Sequence, residues 1–336
     1  MLHNRQWLLR SRPASGVALD NFELRAEDIP EPELAPGQVL VRNAVFVCTA
    51  TSRNWMNEPG RSHRSIELGT PMRGPGGSEV IRSNDPRFPV GTCLVRLVPW
   101  EEYSVLDAGA LAQVAVPPPD VTLIEALGLY GLNSCTAYFG LLRCGRPQPG
   151  ETVVVSAAGG SVGSMVVQIA KIAGCRVIAI AGGRDKCALI TRELGADAAI
   201  DYKHESVGAR LAELCPRGVD VYFDNVGGEI LDAVMANIAV KGRVVVCGQV
   251  STYDANAPAA GLRDMMTVIY RSVTIRGFVM TEFDDDVEVA RADLRRWKAA
   301  GRLPYRDDIR RGFDQLPHAF IGLFKGENLG TLMITS

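Results

Sequence analysis

No two cysteines of this 336-residue chain form a C-x-x-C pair, although there are eight of them. Cys48, Cys93, Cys135, Cys144, Cys175, Cys187, Cys215 and Cys247 are scattered singly, which argues against a structural zinc site. Several lie in apolar runs, as Cys247 does in residues 244–248, where a thiol packs as a small hydrophobe. Reduced, structural cysteines are therefore expected. Histidine is scarce as well. His3, His63, His204 and His318 stand far apart beside polar or turn residues, so no metal is expected. An excess of one charge is also missing: 36 Lys and Arg face 38 Asp and Glu, interspersed along the chain. A formal net charge of -2 removes the electrostatic case for nucleic-acid binding. There is no apolar run of membrane-spanning length, and residues 1–13 carry His3, Arg5, Arg10 and Arg12 around short apolar steps rather than a signal-peptide core. A cytoplasmic protein without a membrane partner is the expectation. No internal repeat and no low-complexity tract is present.

What is there reads as an ordinary globular enzyme of two domains, 47% hydrophobic and 22% charged. The first third is rich in turns, with short β-type runs at residues 38–47, 79–82 and 92–98 between Pro and Gly clusters, which predicts a small, mostly β domain. Pro117, Pro118 and Pro119 can continue neither strand nor helix, and a boundary is expected just beyond them. From about Thr152 short apolar strands alternate with amphipathic helices, the mark of a parallel sheet covered on both faces. The strand candidates are residues 152–157, 176–181, 198–201, 219–224, 242–248 and 273–279. Helical patterns run over 162–173 and 186–194, with Gly174 and Gly195 as stops, and another lies near 287–300. Residues 309–336 again resemble strand and turn, so the tail is expected to rejoin the first domain.

The chemistry is concentrated after the first of these strands. Ala158-Gly159-Gly160-Ser161-Val162-Gly163 is a G-x-G-x-x-G fingerprint with alanine in first place, between a strand and a helix. Gly160 would let the backbone approach a pyrophosphate, Gly163 would let the helix pack close to the sheet, and the helix N-terminus would direct N–H groups at the phosphates. The second strand ends at Ala181 and is followed by Gly182-Gly183-Arg184-Asp185-Lys186. A carboxylate at the strand tip, which would hold the ribose hydroxyls of NAD, is missing there, while Arg184 and Lys186 supply cations for a 2′-phosphate. The reading is NADP(H) rather than NAD.

With these residues in view, the chain resembles the medium-chain dehydrogenase/reductase superfamily, and within it the zinc-free leukotriene B4 dehydrogenase, prostaglandin reductase and alkenal double-bond reductase family. The resemblance is carried by Arg5-Gln6-Trp7-Leu8-Leu9, Thr136-Ala137-Tyr138-Phe139-Gly140-Leu141-Leu142, residues 157–171, Tyr222-Phe223-Asp224-Asn225-Val226-Gly227-Gly228-Glu229, Ser251-Thr252-Tyr253 and Lys325-Gly326-Glu327-Asn328-Leu329-Gly330. It implies an α/β architecture. A GroES-like, mostly β catalytic domain would span 1–126 and be rejoined by 305–336, with a Rossmann domain, a doubly wound parallel six-stranded sheet, over 127–304. It also implies a homodimer and NADPH-dependent reduction of the C=C bond of an enone or alkenal, with hydride going to the β-carbon and hydrogen-bond donors stabilising the enolate. By the family pattern, Lys186 and Tyr202 contact the adenosine end, Asn225, Ser251 and Asn328 contact the cofactor further along, and Tyr253 and Tyr270 lie near nicotinamide and substrate as the candidate catalytic residues. Aromatic packing remains open for either tyrosine.

The chain also departs from that pattern. Thr49-Ala50-Thr51-Ser52-Arg53 stands where the family has Asp-Pro-Tyr-Met-Arg, so Thr51 replaces a pocket tyrosine. Asn133-Ser134-Cys135 replaces a simpler turn, which adds Asn133 to the candidate substrate pocket. The cofactor side is intact and the substrate side rebuilt. That leaves room for two other readings: a redox-neutral cyclase or isomerase retaining NADP, and a non-enzymatic NADP-binding module.

Overall fold

The computed structural model describes residues 1–59, 65–253, 262 and 264–336; His63 lies outside them. The backbone divides into two compact units. One comprises Met1–Gly128, Asp307–Glu327 and Thr331–Ser336; the other comprises Leu129–Arg306 and Asn328–Gly330.

The first unit begins with β1 (Leu2–Leu9) and β2 (Phe22–Ile29), an antiparallel pair in register from Leu2 opposite Ile29 to Leu9 opposite Phe22. Then follow β3 (Val39–Val47), the single turn α1 (Thr51–Asn54), β4 (Arg73–Ser83), β5 (Cys93–Pro99), β6 (Tyr103–Leu106), α2 (Ala108–Leu111) and α3 (Leu123–Leu127). Helix α3 starts where the sequence allows a reciprocal cap. The Thr122 hydroxyl accepts from the Glu125 N–H at 3.2 Å, and the Glu125 carboxylate accepts from the Thr122 N–H at 3.1 Å.

The second unit runs through α4 (Leu132–Phe139), β7 (Thr152–Val155), α5 (Ser161–Ile172), β8 (Arg176–Ala181), α6 (Arg184–Leu194), β9 (Ala198–Asp201), α7 (Val207–Leu214), β10 (Val219–Asp224), α8 (Gly228–Ala236), β11 (Ile238–Val246), α9 (Met265–Tyr270), β12 (Thr274–Gly277) and α10 (Val287–Ala299). Its six strands pair in the order β12-β11-β10-β7-β8-β9, all parallel. This is the doubly wound order, which reverses direction at β7 and opens a crevice at the carboxyl ends of β7 and β10. Every residue of β7 is buried because helices cover both faces of a parallel sheet. Val154, Ile178, Ile180, Tyr222, Val234 and Val244 belong to one core cluster, and each valine or isoleucine among them contributes roughly 1.5–3 kcal/mol on full burial. Gly174 and Gly195 follow α5 and α6 with φ of +80° and +78°, the left-handed stop expected of them.

The chain then adds β13 (Asp307–Arg311), α11 (Leu316–Phe324) and β14 (Thr331–Thr335) to the first unit. Its larger sheet has the order β13-β14-β3-β4-β5, with β6 also on β3. The tail thus supplies strands to that sheet, but α11 corrects the expectation of strand and turn only. Leu316, Ala319 and Phe320 recur at helical spacing and are buried, and Pro317 sits in the first turn, where its missing N–H costs nothing. Phe22, Trp100 and Phe320 form the aromatic centre of this unit's core, with Phe22 stacked on Trp100 at 5.9 Å and Phe320 edge-on to Trp100 at 5.7 Å.

Candidate functional site

Within the second unit, β7 stops at Val155, two residues short of the expected end, because Ala157 turns into the left-handed region at φ +48°. That sharp exit brings the chain back over itself. A Cβ on Gly163 would lie 2.3 Å from the Ala157 carbonyl oxygen, so only glycine fits the first turn of α5. Gly160 is the N-cap and supplies no side-chain cap, so the first turn of α5 presents its backbone N–H groups at the positive end of the helix dipole. Ala158 is fully buried. The segment Asn328–Gly330 lies against this loop: Gly330 N–H donates to the Gly159 carbonyl at 2.9 Å, and Lys186 Nζ donates to the Asn328 carbonyl at 2.5 Å. The Lys186 stem covers Gly159, where a Cβ would come within 2.7 Å of Lys186 Cδ. Asn328 is buried, and its Nδ2 donates to the Gly330 carbonyl at 2.9 Å.

Two carboxylates, neither of them singled out by the sequence pattern, organise the neighbouring loops. Asp224, buried at the end of β10, accepts from the N–H groups of Val226 (3.0 Å) and Gly227 (2.8 Å) and from the Tyr222 hydroxyl (2.8 Å). Burial, reinforced by that charge, pushes the Tyr222 hydroxyl well above its ordinary pKa. Asn225 donates its N–H to Ser156 Oγ (2.9 Å) and its Nδ2 to the Ser156 carbonyl (2.8 Å), joining the ends of β7 and β10. Ser251 Oγ donates to the Val226 carbonyl at 2.6 Å. Asp201 ends β9 and accepts from the Gly183 N–H at 2.8 Å. The only hint of its importance was an acid closing an apolar strand.

Beside Asp201, the turn Gly182-Gly183 leads into α6 with Arg184 exposed at its first position. Tyr202, 46% exposed, lies with its ring against Gly182. Tyr253 is half-buried and its hydroxyl lies beside Gly248, 3.6 Å from where a Cβ would sit. Tyr270 ends α9 and is 77% exposed. Asn133 lies within helix α4, whose residues Ser134, Cys135, Ala137, Tyr138 and Phe139 are buried. Its Nδ2 donates to Ser161 Oγ at 2.8 Å, which brings it to the glycine loop. Thr51 belongs to the other unit, exposed at the first position of α1. Among the described residues, no group of three or more His, Cys, Asp or Glu is placed to hold a metal. Among the described residues, no helix is long and apolar enough to cross a membrane.

A parallel sheet reversing at β7, with a glycine turn onto a helix start that lacks a side-chain cap, defines a dinucleotide-binding fold of the doubly wound class. Sequence models for "zinc-binding dehydrogenase" and "N-terminal domain of oxidoreductase" match residues 161–294 and 5–114. The NADPH-dependent curcumin reductase of Escherichia coli (strain K12) is 34% identical, over 98% of this chain and 96% of its own. Prostaglandin reductase 1 of Sus scrofa is 37% identical, over 99% of each chain. The solved structure of CurA from Vibrio vulnificus in complex with NADPH superposes with a TM-score of 0.91 at 35% identity, covering 99% of each chain. The chain belongs to the zinc-free medium-chain dehydrogenase/reductase family, in the branch of the prostaglandin and alkenal double-bond reductases, and is an oxidoreductase.

Proposed function

We propose that the protein uses NADP(H) to reduce the C=C bond of a small α,β-unsaturated carbonyl compound. The observation that carries this is the donor set at the α5 N-terminus beside the cationic β8 tip, in a chain whose relatives are named as NADPH-dependent and prostaglandin reductases. The residues present fit the cofactor. First-turn N–H groups of α5 take the pyrophosphate, and Arg184, Lys186 and Tyr202 surround the adenosine end. Asn225, Ser251 and Asn328 shape the path toward the nicotinamide. When bound, the cofactor supplies the hydride that reaches the β-carbon. The negative charge then gathers on the substrate oxygen, where Tyr253 or Tyr270 donates a hydrogen bond until a proton reaches the α-carbon. Asn133, near the start of α4, bears on the substrate.

Replacing the true donor tyrosine with phenylalanine lowers kcat by about 10²–10³ and changes KM little, because the interaction strengthens in the transition state. Steady-state kinetics of Tyr253→Phe and Tyr270→Phe test this; two parent-like variants would remove the tyrosine mechanism. A redox-neutral reaction on the same scaffold is the second reading, favoured by Thr51 in place of a pocket tyrosine. A homodimer is supported by β12, an edge strand among the described residues, where Ile275 and, on α9, Met265, Met266 and Ile269 are exposed. The eight free cysteines suit a reducing cytoplasm.

A further inference from the structure

A negative charge beside a phosphate site is of the wrong sign, yet Asp201 stands one strand from the β8 tip. Its carboxylate is turned inward and satisfied. Oδ1 accepts from the N–H groups of Gly183 (2.8 Å) and Lys203 (3.1 Å), and Oδ2 pairs with His204 Nδ1 (2.7 Å). The Gly183 N–H, and after it the His204 and Lys203 bonds, hold the carboxyl below the ordinary Asp range against the opposing effect of desolvation, so it is ionised at neutral pH. Gly183 caps α6 at φ +97°, a conformation that nothing but glycine takes easily. Gly182 beside it is roofed by two side chains of the β9 tip, since a Cβ there would come within 2.9 Å of Lys203 Cε and 3.0 Å of Tyr202 Cε1. One carboxylate therefore ties down both halves of the same feature: the turn that a ribose substituent would meet, and the backbone of the lysine whose side chain lies over that turn.

We propose that Asp201 is a positioning residue and Lys203 a phosphate-contacting residue, and that together they set the preference for a 2′-phosphorylated dinucleotide. The inference rests on the NADP(H) reading above. It makes the selectivity a property of β9 as well as of α6: Asp201 acts through its hydrogen bonds, without its charge facing the ligand. An uncharged side chain of the same shape should then serve as well as the carboxylate, whereas one lacking the acceptor should not.

The test is calorimetric titration of the whole protein with 2′,5′-ADP and with 5′-AMP, which differ in the phosphate concerned. Lys203→Ala, at an exposed position, is expected to weaken 2′,5′-ADP about tenfold while 5′-AMP stays within about twofold, with Lys203→Arg restoring most of the loss. Asp201→Ala is expected to weaken 2′,5′-ADP about tenfold, with Asp201→Asn remaining within about threefold of the parent. Equal losses for both probes in Asp201→Ala would reduce Asp201 to a fold-supporting residue and overturn the proposal. Tighter 2′,5′-ADP binding by both Asp201 variants would also overturn it, by showing that the charge opposes the phosphate. Parent-like binding by Lys203→Ala would remove Lys203 from the site even if the Asp201 variants failed to fold. A parent protein with no preference for 2′,5′-ADP over 5′-AMP would refute the NADP(H) reading itself.

Discussion

Adding one methyl group at either of two glycines three residues apart should have opposite consequences. Gly163→Ala places a Cβ 2.3 Å from the Ala157 carbonyl oxygen and 2.8 Å from Ala158 Cα, both backbone atoms that cannot swing aside. Ala157 is already left-handed at φ +48°, so the loop has little room to yield. Overpacking of this kind costs about 1–3 kcal/mol of stability. Gly160 has φ -82° and ψ 177°, which any residue adopts, and a Cβ there would meet only the Ala157 oxygen at 3.3 Å. Gly160→Ala is therefore expected to cost less than about 1 kcal/mol, mostly from replacing a glycine N-cap. It sits, however, where the pyrophosphate would approach, and NADPH binding should weaken by at least about tenfold, roughly 1.4 kcal/mol. Urea denaturation followed by circular dichroism reads the first quantity, and NADPH fluorescence titration the second. If Gly163→Ala were as stable as the parent, the close approach would be wrong. If Gly160→Ala kept full NADPH affinity, the cofactor would not bind at this turn.

Burial pushes the thiols of Cys48 and Cys247 up to about 12 and those of Cys135, Cys175 and Cys187 up to about 11; native protein at pH 7 should react slowly with Ellman's reagent, and all eight cysteines should react after denaturation. Rapid labelling of several thiols in the native state would contradict that burial. Lys186→Met keeps the stem over Gly159 but loses the ammonium, and should weaken NADPH about tenfold to a hundredfold with NADH little changed in a titration of both; equal losses would leave Lys186 as a loop tie alone. The Asp197 carboxyl is held below its ordinary value: desolvation opposes this but is outweighed by hydrogen bonds from Lys171 and the Val177 N–H. Its stabilisation is therefore present above the unfolded value of about 3.9 and lost as pH falls through the lower folded value, so Asp197→Asn should flatten the acid side of a plot of Tm against pH.

Strands β8, β9 and β10 span the residues expected of them, each closing at the last residue of an apolar run or one residue after it. The ends of β7 and β11 were less legible. Ala157 carries nothing in its composition that announces a left-handed turn, and β11 begins at Ile238, ahead of the left-handed Lys241 where β10 and β11 shift register. Helix α11 was hidden because its residues are as apolar as a strand's, and only their spacing separates the two. The glycine fingerprint could be placed from local pattern alone. The partners of Asn225 and Lys186 could not, since Ser156 lies 69 residues from Asn225 and Asn328 lies 142 from Lys186. Asp201 escaped for a similar reason: whether a carboxylate faces a ribose or the backbone of the next turn depends on a fold the linear pattern does not contain.

In the proposed reaction, hydride from NADPH reaches the β-carbon of an enone held by this protein. The most direct measurement incubates the purified protein with NADPH deuterated at the transferable position and a panel of enones of graded size, following cofactor oxidation and the position of the label. NADPH oxidation is expected to be matched mole for mole by saturated ketone, with deuterium on the carbon β to the carbonyl. Tight binding of NADPH with no oxidation across the panel would contradict it, and would move the protein to a redox-neutral role.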